Sequence, residues 1–138
     1  MNTRLQKIEQ VCKKFKARAL YVFGSRSAEV VQALQDGTLE IRSSSSDLDI
    51  GILTRSPLSV DEKVDIALEL EEIFDVPRVD LVILQEADAF LAANIIRGER
   101  LYAEDSYSAD EYELFVLRRA GDLAELERER MAMILEEG

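Results

Sequence analysis

With 138 residues, 47% of them hydrophobic and 33% charged, the chain has the length of one ordinary domain and too little for two independent cores. No apolar run approaches the roughly 20 residues that span a bilayer, and Met1 to Lys7 mixes polar with apolar groups rather than forming a secretory segment, so a cytoplasmic location is expected. A net charge of −11, from 17 basic and 28 acidic side chains, argues against sequence-independent binding of nucleic acid and favours a cation or a basic protein partner.

In chain order, Leu5, Ile8, Val11, Cys12 and Phe15 recur at three- and four-residue spacings and predict an amphipathic helix over residues 4–18. Ala19-Leu20-Tyr21-Val22-Phe23 reads as a buried strand that enters a tight turn at Gly24-Ser25. Ser27 is placed to cap a helix over 28–36, with Gly37 as its stop. The polar stretch 38–46, ending in four serines, reads as a mobile loop with a short edge strand at 39–42. Residues 47–53 form the next strand. Ser59 and Glu62 then match a capping box and open a helix whose apolar stripe is Val64, Ala67, Leu68, Leu70, Ile73 and Phe74. Residues 79–84 predict a third strand, and 87–97 a helix closed by Gly98. A short strand is expected at Leu101-Tyr102. Ser108 and Glu111 suggest a second capping box, starting a helix that runs nearly to the end with Gly121 as a kink or break. The alternation of helices and strands points to an α/β (α+β) fold, a small mixed β-sheet flanked by helices.

Histidine is absent and Cys12 is the single cysteine. An intrachain disulfide, a cysteine-based zinc site and the histidine-dependent triads are therefore excluded, and catalysis must rest on carboxylates or a bound metal. Cys12 reads as a small buried hydrophobe. In Ser46-Asp47-Leu48-Asp49-Ile50-Gly51-Ile52, alternation sends Leu48, Ile50 and Ile52 to one face and Asp47 and Asp49 to the other, with Gly51 leaving room for a ligand. Two hard carboxylates so placed suit magnesium; an exposed strand face carrying acids would look the same. Asp80 stands in an otherwise apolar strand, where an ionised group is costly unless it meets a cation, Arg78 or solvent. Gly24-Ser25, between a strand and a helix start, offers amides and a hydroxyl to a phosphate, although Gly-Ser is also an ordinary turn.

Taken together, Val22-Phe23-Gly24-Ser25-Arg26, Ser46-Asp47-Leu48-Asp49-Ile50, Val79-Asp80-Leu81-Val82 and, more loosely, Ile95-Ile96-Arg97-Gly98-Glu99-Arg100-Leu101-Tyr102 resemble the DNA polymerase β-type nucleotidyltransferases. The likeness is to their minimal members, the antitoxin partners of HEPN-domain ribonucleases. That resemblance implies one nucleotidyltransferase domain over 1–138, with a core of about 15–105 and a C-terminal helical extension of about 108–136. It also implies two Mg2+ ions held by Asp47, Asp49 and Asp80, ATP as substrate with its triphosphate on Gly24, Ser25 and Arg26, and a HEPN toxin as partner and acceptor of AMP. Asp80 would help activate the attacking hydroxyl. Residues 26–46 depart from the family pattern as an insertion, and Arg42 is a second candidate for the triphosphate.

Three functions are consistent with these residues: an AMP-transferring antitoxin, an antitoxin that neutralises by contact alone, and an aminoglycoside-type small-molecule transferase. Three acids on one sheet face favour the enzyme over the binder, and the chain leaves little room for the substrate domain that the third function needs. The last helix, with Leu114, Phe115, Leu117, Leu123, Leu126, Met131, Met133 and Ile134, reads equally as core or as a surface for a partner or a homodimer.

Overall fold

The computed structural model of the chain describes residues 3–36 and 47–137. The first helix, α1 (Arg4–Lys14), opens on a capping box in which the Thr3 hydroxyl accepts from the Gln6 amide and the Gln6 side chain accepts from the Thr3 amide. That exchange satisfies two of the donors a helix start leaves free. Its buried face is Ile8, Val11 and Cys12. The helix stops short of the expected 4–18 span because Lys16 takes a left-handed backbone, φ 57°, and turns the chain into β1 (Ala17–Phe23).

After β1, α2 (Ser27–Asp36) includes Ser27 within its first turn. The expected Gly37 stop, the 38–46 loop with its edge strand, and Arg42 lie outside the described residues. Strand β2 (Leu48–Thr54) is followed by α3 (Val60–Phe74), which carries the anticipated Ser59–Glu62 capping box. Its buried residues are Ile66, Leu70 and Phe74, while Val64 and Leu68 are 51% and 57% exposed. The stripe expected from spacing included Val64 and Leu68 and left out Ile66; contact with the sheet selected the i, i+4, i+8 row.

Strand β3 (Val79–Ile83) ends in a 3-10 turn at Leu84–Glu86, and α4 (Ala89–Ile96) is capped by Asp88, which accepts from the Leu91 amide at 2.9 Å. Strand β4 (Glu99–Ala103) leads into α5 (Ser106–Glu137). The anticipated Ser108–Glu111 box is not what starts α5. Asp105 does so, its carboxylate accepting from both the amide and the hydroxyl of Ser108, at 3.1 and 2.6 Å. Nor does Gly121 break the helix, which runs through it.

The four strands lie in the order β3-β2-β1-β4, with β1 antiparallel to both neighbours and β2 parallel to β3. One face carries Leu20, Val22, Leu48, Ile50 and Ile52 against Ile8 and Cys12 of α1 and Ile66, Leu70 and Phe74 of α3. The other carries Ala19, Tyr21, Phe23 and Leu53 against Ala92, Ala93, Ile95 and Ile96 of α4 and Val116 and Ala120 of α5. Each of the fully buried aliphatic side chains contributes about 1.5–3 kcal/mol by leaving water, so both helix layers hold the sheet rigid around the polar residues at its end. No helix among the described residues is long and apolar enough to cross a membrane.

Candidate active site

The register brings the acids together. Phe23 at the end of β1 pairs with Asp49 of β2, and Asp49 pairs in turn with Asp80 of β3. Residues paired across strands share a sheet face, so Asp49 and Asp80 project beside each other on the face covered by α4 and α5. They stand at the end where β1 finishes and β2 and β3 begin. Asp47 immediately precedes β2.

Asp49 is half-buried, and its carboxyl is held above the ordinary range first by burial and then by the like charges of Asp80 and Asp47. Asp49 therefore feels the charge of both other acids. Asp80 itself is exposed, so the burial cost expected for it does not arise, and its place beside Asp49 is what ties it to the site. Arg78, considered above as an ion-pair partner for Asp80, instead lies 3.5 Å from the Asp47 carboxylate, with its own side chain 72% exposed.

Among the described residues no three acidic side chains converge on one ion-sized point. The donor set still fits magnesium in kind, because three hard oxygen ligands repel one another across a sheet end and a cation between them would relieve that repulsion.

The Gly24-Ser25 turn meets Asp49 directly at Gly24. Gly24 has φ +81°, and a Cβ on it would overlap Oδ2 of Asp49. Glycine is thus required twice, for the left-handed backbone and for the approach of the carboxylate. Ser25 is exposed beside the start of α2, whose first turn is closed by the Ser27 amide donating to the Gly24 carbonyl at 3.3 Å. Arg26 is buried, with Nε and one terminal nitrogen each donating to the Glu29 carboxylate at 3.3 Å.

Gly51 departs from expectation. A Cβ there would overlap Cγ2 of Ile95, so the space next to the acids is filled by α4 and is not open to a ligand. Gly98, in the segment that resembled the family more loosely, sits where a Cβ would meet the Val22 carbonyl. It lets the chain cross closely over the end of β1 and enter β4.

Sequence reasoning missed a second polar group on the same sheet face. Tyr21, buried, donates to Oε2 of Glu113 at 2.7 Å, and Arg100 donates to Glu113 at 2.6 Å and to Asp110 at 2.8 Å. Burial and then the Glu113 carboxylate push the Tyr21 hydroxyl above its usual range. No local signal marks this network, since Tyr21 and Glu113 are 92 positions apart. Cys12 is buried as expected, and burial pushes its thiol up to about 12, which leaves it inert.

Residues 6–107 match the family described as polymerase beta, nucleotidyltransferase. No curated protein matches the chain. Similar solved structures include a mutant of the toxin–antitoxin pair MntA–HpeT in which two aspartates are changed to glutamate, at 22% identity and TM-score 0.67 over 99% of this chain and 98% of that one. A toxin–antitoxin structure with AMP-PNP is 24% identical, with TM-score 0.64 over 96% of each chain. The tri-AMPylated HEPN toxin of Shewanella oneidensis in complex with MNT antitoxin supplies a third, at 24% identity and TM-score 0.60 over 96% of this chain and 94% of that one. At these identities the likeness is one of fold.

Proposed function

We propose that this chain, which belongs to the polymerase β nucleotidyltransferase family, transfers AMP from ATP to a hydroxyl of a cognate HEPN toxin, a tyrosine being the natural acceptor, and so acts as its antitoxin. The observation that carries this reading is the contact between the Gly24 turn and the Asp49 carboxylate, which sets phosphate-binding donors against metal-binding acceptors with no side chain between them. Family membership and the nucleotide analogue and AMP-modified toxin of the solved relatives support it.

Asp47, Asp49 and Asp80 would hold two magnesium ions. Bound there, the metal supplies charge that stabilises the entering and leaving oxygens of an in-line displacement at the α-phosphorus. The Ser25 hydroxyl and the amides opening α2 orient the triphosphate. Arg26, gripped by Glu29, fixes the turn that presents them. Asp80, exposed next to Asp49, takes the proton of the acceptor hydroxyl as its oxygen bonds to phosphorus and pyrophosphate departs. The core of about 15–105 carries this chemistry and the helix from Ser106 extends it.

Incubating the chain with its co-purified toxin, ATP and magnesium should add AMP groups, each about 329 Da by the arithmetic of the transfer, to the toxin in intact-mass spectra. A second reading, neutralisation by contact alone, draws on the net charge of −11, which suits the basic surface of a ribonuclease. The Asp47→Asn, Asp49→Asn double variant separates the two. Loss of protection with retained toxin binding supports transfer, whereas undiminished protection in cells would mean that contact suffices.

A further inference from the structure

The first half of α5 is seated on the sheet by Ala109, Val116 and Ala120. Beyond Ala120 the helix runs out from the body, and residues 121–136 are exposed apart from a half-buried Ala124. The buried row nonetheless continues along it. Positions 116, 120, 123, 127, 130 and 134 are spaced alternately by four and three, the heptad seam of a two-helix coiled coil, and on the free half they are Leu123, Glu127, Arg130 and Ile134. A helix this long and this exposed gains little from propensity alone, and contact along one face is what holds such a helix.

We propose that the free half of α5 pairs antiparallel with the same segment of a second copy of this chain, about a two-fold axis midway between Arg128 and Glu129. The seam is complementary to its own reversal about that point. Leu123 meets Ile134 of the second copy, and Glu127 meets Arg130 of the second copy. The symmetry repeats both pairings, and Leu126 and Met131 flank them. In the single chain Leu123 and Ile134 are 37% and 52% exposed, and the Glu127 and Arg130 side chains, 2.8 Å apart, are 57% and 65% exposed.

The charged inner layers set the orientation. A parallel, in-register pair would oppose Glu127 to Glu127 and Arg130 to Arg130, whereas the antiparallel pair alternates their signs at the centre. Polar inner layers between apolar outer ones lower affinity and fix register, and the overlap, roughly 16 residues or about 24 Å of helix, gives a modest dimer. This pairing does not depend on the transfer chemistry proposed above.

Sedimentation equilibrium of the full-length chain, alone and with its toxin, tests it. The wild type should have twice the chain mass. Glu127→Arg alone and Arg130→Glu alone should each weaken self-association at least about tenfold, by setting like charges opposite, and the combined Glu127→Arg, Arg130→Glu swap should restore it. All of these positions are exposed in the single chain, so circular dichroism should show unchanged helix content. Mixing a Leu123→Cys variant with an Ile134→Cys variant under oxidation should give the mixed crosslink in preference to either like pair. A wild type that stays monomeric at concentrations on the order of 100 µM, a swap that fails to restore the dimer while the fold is intact, or single variants that lose toxin binding but keep self-association would each overturn the proposal.

Discussion

Two polar groups share one face of the same sheet and differ in how their charges are matched. Over the middle of β1, Tyr21, Glu113, Arg100 and Asp110 alternate donor with acceptor and cation with anion, so every charge meets its opposite within 2.8 Å. At the end of β1, one pleat away, Asp49 stands between Asp47 and Asp80, and its carboxyl is pushed up by burial and by both neighbours. A matched network ties α5 to the sheet and needs nothing further. A cluster of like charges on an otherwise well-packed scaffold is a place where folding stability is sacrificed for binding something of opposite charge.

That contrast can be broken from either side. The largest effect is expected at the acidic end: Asp47→Asn with Asp49→Asn should reduce AMP transfer by at least on the order of 10³-fold, since the charge proposed to hold the metal is removed, while the melting temperature holds or rises. A double variant that unfolds would place these acids in the scaffold. In the matched network the expectation reverses. Glu113→Ala leaves the buried Tyr21 hydroxyl without its acceptor and takes one of two anions from Arg100, and should cost about 2–3 kcal/mol in denaturant titrations, with transfer by the folded fraction unchanged.

Gly24→Ala sharpens the boundary between the groups. The left-handed backbone should cost about 1–2 kcal/mol, and the new methyl must displace the Asp49 carboxylate, so transfer should fall much further than stability does. Equal losses of both would show that the turn only supports the fold.

The smallest effect is in the pH dependence. Because the carboxyl of Asp49 is raised in the folded state, the folded chain binds that proton more tightly than the unfolded chain. Its favourable contribution is present below the unfolded value and is lost as pH rises through the folded one. Asp49→Asn should therefore flatten the fall in stability that sets in as pH rises above the ordinary carboxylate range, and the variant should be slightly the more stable at neutrality. Parallel stability profiles of variant and wild type would remove the repulsion argument.

Some of this was legible in the chain itself. Alternation in Leu48-Asp49-Ile50-Gly51-Ile52 is a backbone property of any strand, so the split of acids from core residues followed from sequence alone. Ser59 and Glu62 marked the start of α3 for the same reason, since a capping box is closed within four residues. Single cysteine, absent histidine and the Asp pair limited the chemistry to carboxylates and hard cations before any fold was known.

Tertiary packing decided the rest, because it depends on residues far apart in the chain. The spacing in α3 offered two faces, and only contact with the sheet chose Ile66, Leu70 and Phe74 over Val64 and Leu68. Gly51 was read as room for a ligand until Ile95 of α4 filled it. Asp80 sat in an apolar run but emerged exposed, and strand register rather than burial joined it to Asp49. Local sequence sets which way each side chain points along its own element; which partner stands opposite is set by how the elements close on one another, and no window of sequence contains that distance.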